Sequence, residues 1–330
     1  MSVLNNAPSA IEQRSRAVPF FEPVPACWVC GGRALTPYHT LRFELEAYRS
    51  GDQDHELAEY TGQTLDLVRC TSCGFGQPAA LPTLPRYFDR MYDQRWDERW
   101  VANEFDADYK DFIFRLILRE LENRVKSASR RLLDVGAHAG RFLHLARTAG
   151  WDAEGIELNP RTAAYAAART GATVHQMNAQ ALADRGRRYD AVVLTDVLEH
   201  IPDPVALLET LATLTTPGGV MAVKVPCGRS QLIKELVLAA ISAHRVTLAD
   251  NLVHVNHFSP RSLRLALDRA GFSATVKAAA PELQSARTQS IRSLASNALR
   301  LTTYGLARLP GAVRTPLALN LQAYGVRRRS

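Results

Sequence analysis

This sequence of 330 residues lacks long apolar runs. No stretch reaches the ~20 consecutive apolar residues that span a membrane, and the N-terminus holds no apolar run of signal-peptide length. The best apolar candidate, residues 232–243, is interrupted by Lys234 and Glu235. Internal repeats and low-complexity tracts are not evident either. We therefore expect a globular, cytoplasmic protein with one large domain or two of ordinary size.

Cysteine is also scarce, and four of the five cysteines form two Cys-x-x-Cys pairs, each followed by a glycine that permits a tight turn. These four residues are Cys27, Cys30, Cys70 and Cys73. In a reducing cytoplasm they are metal ligands rather than disulfide partners, and four thiolates suit tetrahedral zinc. We predict a structural zinc site, with a hairpin or inserted loop between the pairs. The fifth cysteine, Cys227, is interpreted as a small buried residue.

Acidic residues are rare near the C-terminus. Residues 261–330 hold twelve Lys or Arg but only Asp268 and Glu282, a balance of +10, whereas residues 1–100 carry −3. A basic end can attract polyanions or an anionic membrane surface, although a solvated basic tail explains it equally well. Because the zinc-binding part is acidic, we do not expect a nucleic acid partner.

From about Arg130 the chain alternates short apolar strands with amphipathic helices, which predicts a mostly parallel sheet of six or seven strands with helices on both faces. The predicted strands are 131–135, 153–158, 173–176, 190–195, 220–225 and, as the last one, 273–278. The predicted helices are 142–148, 160–170, 204–214 and 260–270, with a helical lid over 229–245.

These patterns divide the chain into five parts. They are a flexible N-terminus (1–25), a zinc-binding module (26–80), a helical linker or substrate lobe (81–126), a cofactor-binding α/β domain (127–280) and a basic helical C-terminal region (281–330).

The turn after the first predicted strand of the α/β domain is the candidate cofactor site. It reads Asp134-Val-Gly136-Ala137-His138-Ala-Gly140. Its glycines permit close backbone approach, and the helix that follows presents unpaired N–H groups. A dinucleotide fingerprint would need G-x-G-x-x-G, which this turn does not match. Glu157 ends the second strand, about 20 residues after the first glycine, where a carboxylate can accept hydrogen bonds from both ribose hydroxyls.

At these motifs the chain closely resembles the class I S-adenosylmethionine (SAM) methyltransferases, particularly the bacterial group with an N-terminal two-CxxC zinc module. The resemblance covers about residues 26–280 and rests on five blocks: LLDVGAHAGRFL, GIELNP, RYDAVVLTDVLEHIPDP, TPGGVMAVKVP and HVNHFSPRSLRLALDRAGF. It implies an α/β fold with a Rossmann-like, doubly wound, mostly parallel seven-stranded sheet. It also implies SAM as the cofactor.

By match with this family, the cofactor-binding residues are Asp134, Gly136, Ala137, Gly140, Glu157, Leu158, Asn178, Ala179 and Thr195. The glycine turn would face the methionine part, Glu157 the ribose and Asn178 the adenine amino group. One departure is His138, which stands where the family turn has its central glycine. A side chain at that position must point away from the cofactor.

Four residues are candidates for catalysis: Asp196, His200, His254 and His257. Methyl transfer is a displacement at an activated sulfonium carbon, so the protein aligns the acceptor and, where needed, removes its proton. Histidine suits proton removal near neutral pH, and we favour His254 over His200 as the base. A capping or wall role remains open for the segment Asp196-Val-Leu-Glu199-His200.

The resemblance implies a small-molecule acceptor, with a carbohydrate oxygen or carbon, nucleotide-linked or lipid-linked, as the first expectation. The basic C-terminus could hold a phosphate-bearing or lipid-linked substrate near a membrane. Two alternatives stay open. One is a ribosomal RNA methyltransferase, which would suit the pI of about 9.3. The other is a SAM-binding protein without transfer activity, for which His138 is the best support. The sequence does not reveal the oligomeric state or the choice among O-, N- and C-methylation.

Overall fold

The structure is a computed structural model that describes residues 20–45, 54–242, 250–284 and 290–329. Most of the N-terminus that we expected to be flexible, and the end of the predicted lid, lie outside these residues. None of the described helices is long and apolar enough to cross a membrane.

The N-terminal part folds into two small antiparallel sheets. Its elements are β1 (Phe21–Pro23), β2 (Leu35–Arg42), α1 (His55–Ala58), β3 (Thr64–Cys70), β4 (Gly76–Pro78) and β5 (Ala80–Pro82). Strands β2, β3 and β4 form one sheet, and β1 pairs with β5. The β2–β3 hairpin lies between the two cysteine pairs, which confirms the hairpin predicted there.

Three helices join this part to the central sheet. They are α2 (Tyr87–Arg95), α3 (Glu98–Asp106) and α4 (Asp111–Arg124). Helix α2 packs Tyr87 and Met91 into the N-terminal core, whereas α4 packs Ile113 and Ile117 on the central sheet. Asp97 caps α3 by accepting a hydrogen bond from the Trp100 N–H. The three helices thus pack against both the N-terminal part and the central sheet.

The remaining elements build the α/β domain. They are β6 (Arg131–Val135), α5 (Arg141–Thr148), β7 (Asp152–Ile156), α6 (Pro160–Thr170), β8 (Val174–His175), α7 (Ala179–Ala183), β9 (Tyr189–Thr195), α8 (Pro204–Leu214), β10 (Thr215–Pro226), α9 (Gly228–Ile241), α10 (Pro260–Arg269), β11 (Phe272–Ala278), α11 (Ile291–Ala307) and β12 (Asn320–Arg327).

The central sheet has seven strands in the order β11-β12-β10-β9-β6-β7-β8. Strands β10, β9, β6, β7 and β8 are parallel, and β12 runs antiparallel between β10 and β11. This confirms the predicted Rossmann-like, mostly parallel seven-stranded sheet. The chain leaves β6 toward β8 and returns to β9 on the other side, so the strand order reverses between β6 and β9. Ligands of such sheets bind at that point, beyond the carboxyl ends of the strands.

Successive residues of the parallel strands face two different apolar layers. Leu132 and Val193 pack with α4 and α5 on one face of the sheet. Leu133 and Val192 pack with α8 and α10 on the other. Because both faces are covered, the central strands β9 and β10 contain continuous apolar runs, residues 191–194 and 220–223, which made them predictable.

The C-terminal region departs from the prediction. We expected 273–278 to be the last strand and residues 281–330 to be helical, but β12 forms an additional, final strand. It is paired along its length with β10 on one side and β11 on the other. The physical reason is burial: Leu321 and Ala323 complete the core of the sheet, so the end of the basic region belongs to the α/β domain.

Candidate functional site

The four cysteines of the two pairs converge on one point. Their sulfur atoms all lie within 4.8 Å of one another, with 3.6 Å between the Cys27 and Cys73 Sγ atoms and 3.5 Å between those of Cys30 and Cys70. These distances are too long for disulfides, whose S–S bond is about 2.05 Å. Around an ion with Zn–S bonds of about 2.3 Å, tetrahedral geometry puts the sulfurs about 3.8 Å apart. The cluster therefore fits zinc.

The cysteine cluster is packed against the α/β domain. Gly76, just after the second pair, forms an antiparallel bridge with His257. The Phe75 and Phe258 rings lie 5.1 Å apart, and the Arg269 guanidinium donates to the Val29 carbonyl at 2.6 Å. The cysteines thus belong to the same apolar core as β9 and β10.

The turn after β6 has the backbone that its glycines predict. Gly136 and Gly140 have φ values of +69° and +85°, in the left-handed region. A Cβ at Gly136 would lie 2.7 Å from Val197 Cγ2, and one at Gly140 would lie 2.8 Å from Thr170 Cγ2. Only glycine fits both positions. Because α5 begins directly after Gly140, its free N–H groups lie at the carboxyl end of β6.

Glu157 lies next to this turn, just after β7. Its Oε2 accepts from the His138 N–H and its Oε1 from the Asn159 N–H, both at 3.0 Å. Burial raises the pKa of Glu157, and these backbone donors oppose the rise. Each carboxylate oxygen keeps a second lone pair, so the group can still accept from two ribose hydroxyls. Asp134 is buried at the end of β6, where burial, reinforced by Glu157, raises its pKa well above the usual value.

The other predicted cofactor residues lie along the same edge of the sheet. Leu158 is exposed after β7, and Thr195 is half-buried at the end of β9. Ala179 is buried at the start of α7. The Asn178 side chain accepts from the Ala181 N–H at 2.9 Å and so caps this helix. This bond uses one lone pair of the oxygen that the family resemblance assigns to adenine.

His138 adopts a φ of +46° at the centre of the turn. Its ring packs against that of Trp100 in α3, with ring centroids 4.7 Å apart. Burial lowers the pKa of His138 to about 4, so the ring is neutral near pH 7. Its Nε2 is buried and has no hydrogen-bond partner among the described residues. That the His138 side chain points away from the cofactor stays a prediction.

A cleft of about 500 Å³ opens beyond the carboxyl ends of β9 and β10. Twelve of its fourteen lining residues are polar or charged. The lining consists of Lys110, Asp196, Glu199, His200, Lys224, Pro226, Gln231, Lys234, Glu235, Asp250, Val253, His254, Glu282 and Asn320. Helix α9, the predicted lid, contributes three of them and forms one wall.

Asp196 is held between two lysines in this cleft. Its Oδ1 accepts from the Lys224 Nζ at 2.5 Å, and the Lys110 Nζ lies 3.8 Å from its Oδ2. Burial alone would raise the pKa of Asp196, but Lys224 and Lys110 outweigh burial and hold the pKa below the usual value. The carboxylate is therefore ionised and weakly basic, which makes Asp196 a poor general base.

His200 and His254 lie together, with ring centroids 4.9 Å apart. The Nδ1 of His200 lies 2.7 Å from the Tyr92 hydroxyl and 2.5 Å from the Val253 carbonyl oxygen. Burial, and secondarily His200, lowers the pKa of His254 to about 3. Glu199 precedes His200 and is buried, and its pKa is raised by burial and by the nearby Asp196.

His257, the fourth catalytic candidate, is not among the residues that line this cleft. Its Nε2 donates to the His254 carbonyl oxygen at 3.1 Å, and its ring packs against Tyr38. A Cβ at Gly228 would lie 2.5 Å from the His257 Cβ, so this histidine packs closely against the first residue of α9. The geometry makes it a residue that positions His254.

Sequence reasoning missed the two lysines beside Asp196. Lys224 carried a signal, because it is a charged residue inside the apolar strand Met221-Ala-Val-Lys224-Val. A buried lysine in a strand needs a partner, and Asp196 directly follows the neighbouring strand β9. Lys110 precedes α4 and carried no comparable signal.

Comparisons with known proteins relate the chain to methyltransferases. A sequence model of the methyltransferase domain family matches residues 105–276, just over half of the chain. The ubiquinone biosynthesis O-methyltransferase of Cereibacter sphaeroides is 34% identical over 108 residues, which cover 31% of this chain and 44% of that protein. That of Methylococcus capsulatus is 34% identical over 110 residues, which cover 32% and 46%. The chain spans about half the length of these curated relatives.

Among solved structures, a plantazolicin methyltransferase in complex with S-adenosylhomocysteine (SAH) is 15% identical to the chain, with a TM-score of 0.49. The match covers 73% of this chain and 94% of that one.

Proposed function

Because the chain belongs to the methyltransferase domain family, we propose that it transfers the methyl group of SAM to an oxygen atom of a small polar acceptor. The observation that carries this proposal is a polar cleft that opens beside the cofactor turn. Asp196 directly follows β9, next to the strand that ends in the turn, and it lines the cleft. Donor and acceptor would therefore meet at the carboxyl ends of β6 and β9.

The residues around the turn are suited to bind SAM. The free N–H groups of α5 and the backbone of Gly136 and Gly140 would approach the methionine part. Glu157 would accept from the ribose hydroxyls, in the orientation that the His138 and Asn159 N–H groups fix. The cofactor supplies a methyl group already activated on a sulfonium, so the protein's remaining task is to align the acceptor oxygen.

A carbohydrate remains our proposed acceptor. The cleft is lined almost entirely by groups that form hydrogen bonds, and a polyhydroxylated molecule can satisfy many of them at once. The names of the relatives point to an oxygen as the methyl acceptor, because they are O-methyltransferases of ubiquinone biosynthesis. Within this class we propose a nucleotide-linked or lipid-linked sugar, whose phosphate would contact Lys234 of α9, since Lys110 and Lys224 already pair with Asp196.

We further propose that the four cysteines bind one structural zinc ion. Support comes from four sulfurs that already lie at near-tetrahedral separations and from the tight knuckle turns at Gly31 and Gly74, with φ values of +73° and +76°. With four protein ligands the ion has no open position, so it would stabilise the fold rather than act on the acceptor.

Calorimetric titration with SAM and SAH tests the cofactor site. Glu157→Ala should weaken binding about 10- to 100-fold, because hydrogen bonds to a charged group contribute about 1.5–3 kcal/mol. Glu209→Ala, at an exposed position of α8, is the matched control and should bind like the wild type. Absence of binding by the folded wild-type protein would contradict the proposal.

The acceptor is tested by SAH release in the presence of sugar nucleotides, lipid-linked sugars, quinols or ribosomal RNA. We expect turnover only with a sugar. Turnover with RNA would favour the ribosomal RNA alternative. SAM binding without SAH release on any of these acceptors would favour a non-catalytic SAM-binding protein.

A further inference from the structure

A second group of metal-binding side chains lies in the cleft, away from the cysteines. Glu199 and His200 belong to a single 3-10 turn after β9, and His254 comes from the segment that precedes α10. One ligand atom from each of the three lies within 4.8 Å of the others. Two imidazoles and one carboxylate form a donor set typical of divalent first-row transition metals.

Glu199 provides an independent observation that points to a ligand. Its side chain is 1% exposed, and its Oε2 has no hydrogen-bond partner among the described residues. The His200 Nε2 is 4.0 Å from its Oε1, outside hydrogen-bonding range. A buried carboxylate oxygen without a donor is costly unless a cation satisfies it.

The surroundings of His200 favour the tautomer that a metal needs. Its Nδ1 lies 2.5 Å from the Val253 carbonyl oxygen, which can only accept, so Nδ1 carries the proton. Nε2, the atom on the Glu199 side, then carries no proton. Metal-binding histidines are commonly oriented by this kind of bond from the other ring nitrogen to a backbone carbonyl.

We propose that Glu199, His200 and His254 bind a divalent cation whose open positions face the cleft. An ion about 2.1 Å from each donor would draw the three atoms to about 3–3.5 Å apart, a shift that side-chain rotation can supply. Three protein ligands leave positions for oxygen ligands from outside the chain. Glu199 and the two histidines are then ligands that line the acceptor site, and neither histidine acts as a base.

The cation site also specifies the class of acceptor, an inference that rests on the proposed function. A cation with two adjacent open positions binds two neighbouring oxygens of one molecule, as in a vicinal diol. It fixes the reacting hydroxyl and lowers its pKa, which eases loss of the proton to water as the methyl group arrives. The acceptor class is thus a molecule with adjacent hydroxyl groups.

Mn²⁺ binding, followed by electron paramagnetic resonance on the zinc-loaded full-length protein, tests the site. Mn²⁺ prefers oxygen and imidazole to thiolate ligands, so the cysteine cluster should not compete for it. We expect one site in the wild type and at least a tenfold weaker one in Glu199→Gln and in His254→Asn. His55→Asn, an exposed histidine of α1, should bind Mn²⁺ like the wild type.

SAM titration of the same variants separates this inference from the proposed function. Unchanged SAM affinity together with lost Mn²⁺ binding supports the cation site and shows that the variants are folded. The inference is overturned if the wild type binds SAM but none of Mn²⁺, Co²⁺ and Ni²⁺ at millimolar concentration, or if Glu199→Gln binds Mn²⁺ like the wild type. Failure to bind SAM at all would instead contradict the proposed function.

A separate observation concerns helix α11, whose outer face is apolar. Ile291 is 88% exposed and Leu299 is 69% exposed, and Leu294 and Leu306 are exposed beside them. At 3.6 residues per turn these four side chains lie on one side of the helix, opposite the buried Ser293 and Ala307.

The charged residues of α11 and of the segment that follows it are all basic. Residues 291–314 contain Arg292, Arg300, Arg308 and Arg314 and no lysine, aspartate or glutamate. The Arg300 guanidinium donates to the Glu282 carbonyl, and Asn297 bonds with the Gln284 backbone. Since Glu282 lines the cleft, α11 lies beside the acceptor site.

We infer that α11 docks on an anionic membrane surface. Its leucines and isoleucine would enter the headgroup region, and the arginines would lie at the phosphates, as in interfacial amphipathic helices. A polar, lipid-linked acceptor could then reach the cleft from the membrane. This inference stands independently of the cation site.

Flotation with vesicles of phosphatidylcholine, with and without phosphatidylglycerol, tests this surface. We expect binding only to the anionic vesicles and at least a fivefold loss in a Leu294→Gln/Leu299→Gln variant. Leu236→Gln, an exposed leucine of α9, is the control and should bind normally. Equal flotation of the double variant would overturn the inference. So would a wild-type dimer in sedimentation that the double variant converts to monomer, because a second copy would then cover this face.

Discussion

At the scale of single residues, the cleft depends on a charge cluster that spans three elements. Asp196 at the end of β9 has a φ of +57°, which aims its carboxylate between Lys224 of β10 and Lys110 before α4. Left-handed backbone at a non-glycine residue is costly, and such strain is concentrated at functional sites. The Lys224 side chain is only 4% exposed, so its ammonium group depends on this partner.

We predict that Asp196→Asn lowers the free energy of unfolding by about 3 kcal/mol at pH 7, because it leaves a buried cation unpaired. The lysines outweigh burial and hold the folded-state pKa of Asp196 below its usual value. The ionised carboxylate therefore stabilises the fold at pH values above its unfolded pKa of about 4. That stabilisation is lost as the pH falls through the lower folded-state pKa.

Urea unfolding of the wild type and of Asp196→Asn, at pH 7 and at lower pH values, measures the difference between their free energies of unfolding. This difference should become smaller as the pH falls below about 4. Asp152→Asn, at an exposed position of β7, should match the wild type at each pH. A difference that stayed constant into acid would mean that Asp196 stabilises the fold without its charge.

The sequence indicated Asp196, Glu157 and the glycine turn because each directly follows a recognisable strand. The ends of parallel strands meet at one edge of the sheet, so local motifs suffice to predict their neighbourhood. The contact of Trp100 with His138 and that of Lys110 with Asp196 join segments far apart in sequence. No local pattern predicts such pairs, because they depend on how α3 and α4 cross the sheet.

At the scale of elements, buried parallel strands were the easiest to predict. The prediction for β6 matches its observed bounds, Arg131–Val135, and that for β9 differs by one residue. Strand β12 was missed because its sequence, Asn-Leu-Gln-Ala-Tyr-Gly-Val-Arg, is polar at several positions. The buried Gln322 is satisfied by the Val223 carbonyl oxygen of the neighbouring strand, a bond that exists only in the assembled sheet.

The close contact of β12 with β11 gives a prediction at this scale. A Cβ at Gly325 would lie 2.8 Å from the Phe272 Cβ, so Gly325→Val should force the two strands apart. Overpacking of this kind costs about 1–3 kcal/mol. Thermal unfolding should show a lower Tm for this variant. Val326→Thr, at the next and exposed position, should keep the wild-type Tm. Equal Tm values for both variants would contradict the observed pairing.

At the scale of the whole molecule, the cysteine cluster and the central sheet share one core. Cys27, Cys70 and Phe75 pack in the same apolar cluster as Leu194 of β9 and Phe258. The sequence suggested a separate zinc module, because the two Cys-x-x-Cys pairs form a self-contained motif. Its packing against residues 257–259 depends on the backbone bridge between Gly76 and His257, which no sequence motif predicts.

This shared core predicts that the proposed zinc site and the methyltransferase domain unfold together. Cys70→Ser should abolish stoichiometric zinc and lower the Tm of a single calorimetric transition by about 4 °C, the shift expected from a loss of about 3 kcal/mol in a chain of 330 residues. Cys227→Ser, which removes the cysteine outside the cluster, should retain one zinc per chain. If Cys70→Ser instead produced two transitions, with the larger one at the wild-type Tm, the two parts would be independently stable. The packing of Phe75 on Phe258 would then contribute little to the stability of the sheet, whereas a single lowered transition would mean that the zinc ligands stabilise the core on which the acceptor cleft is built.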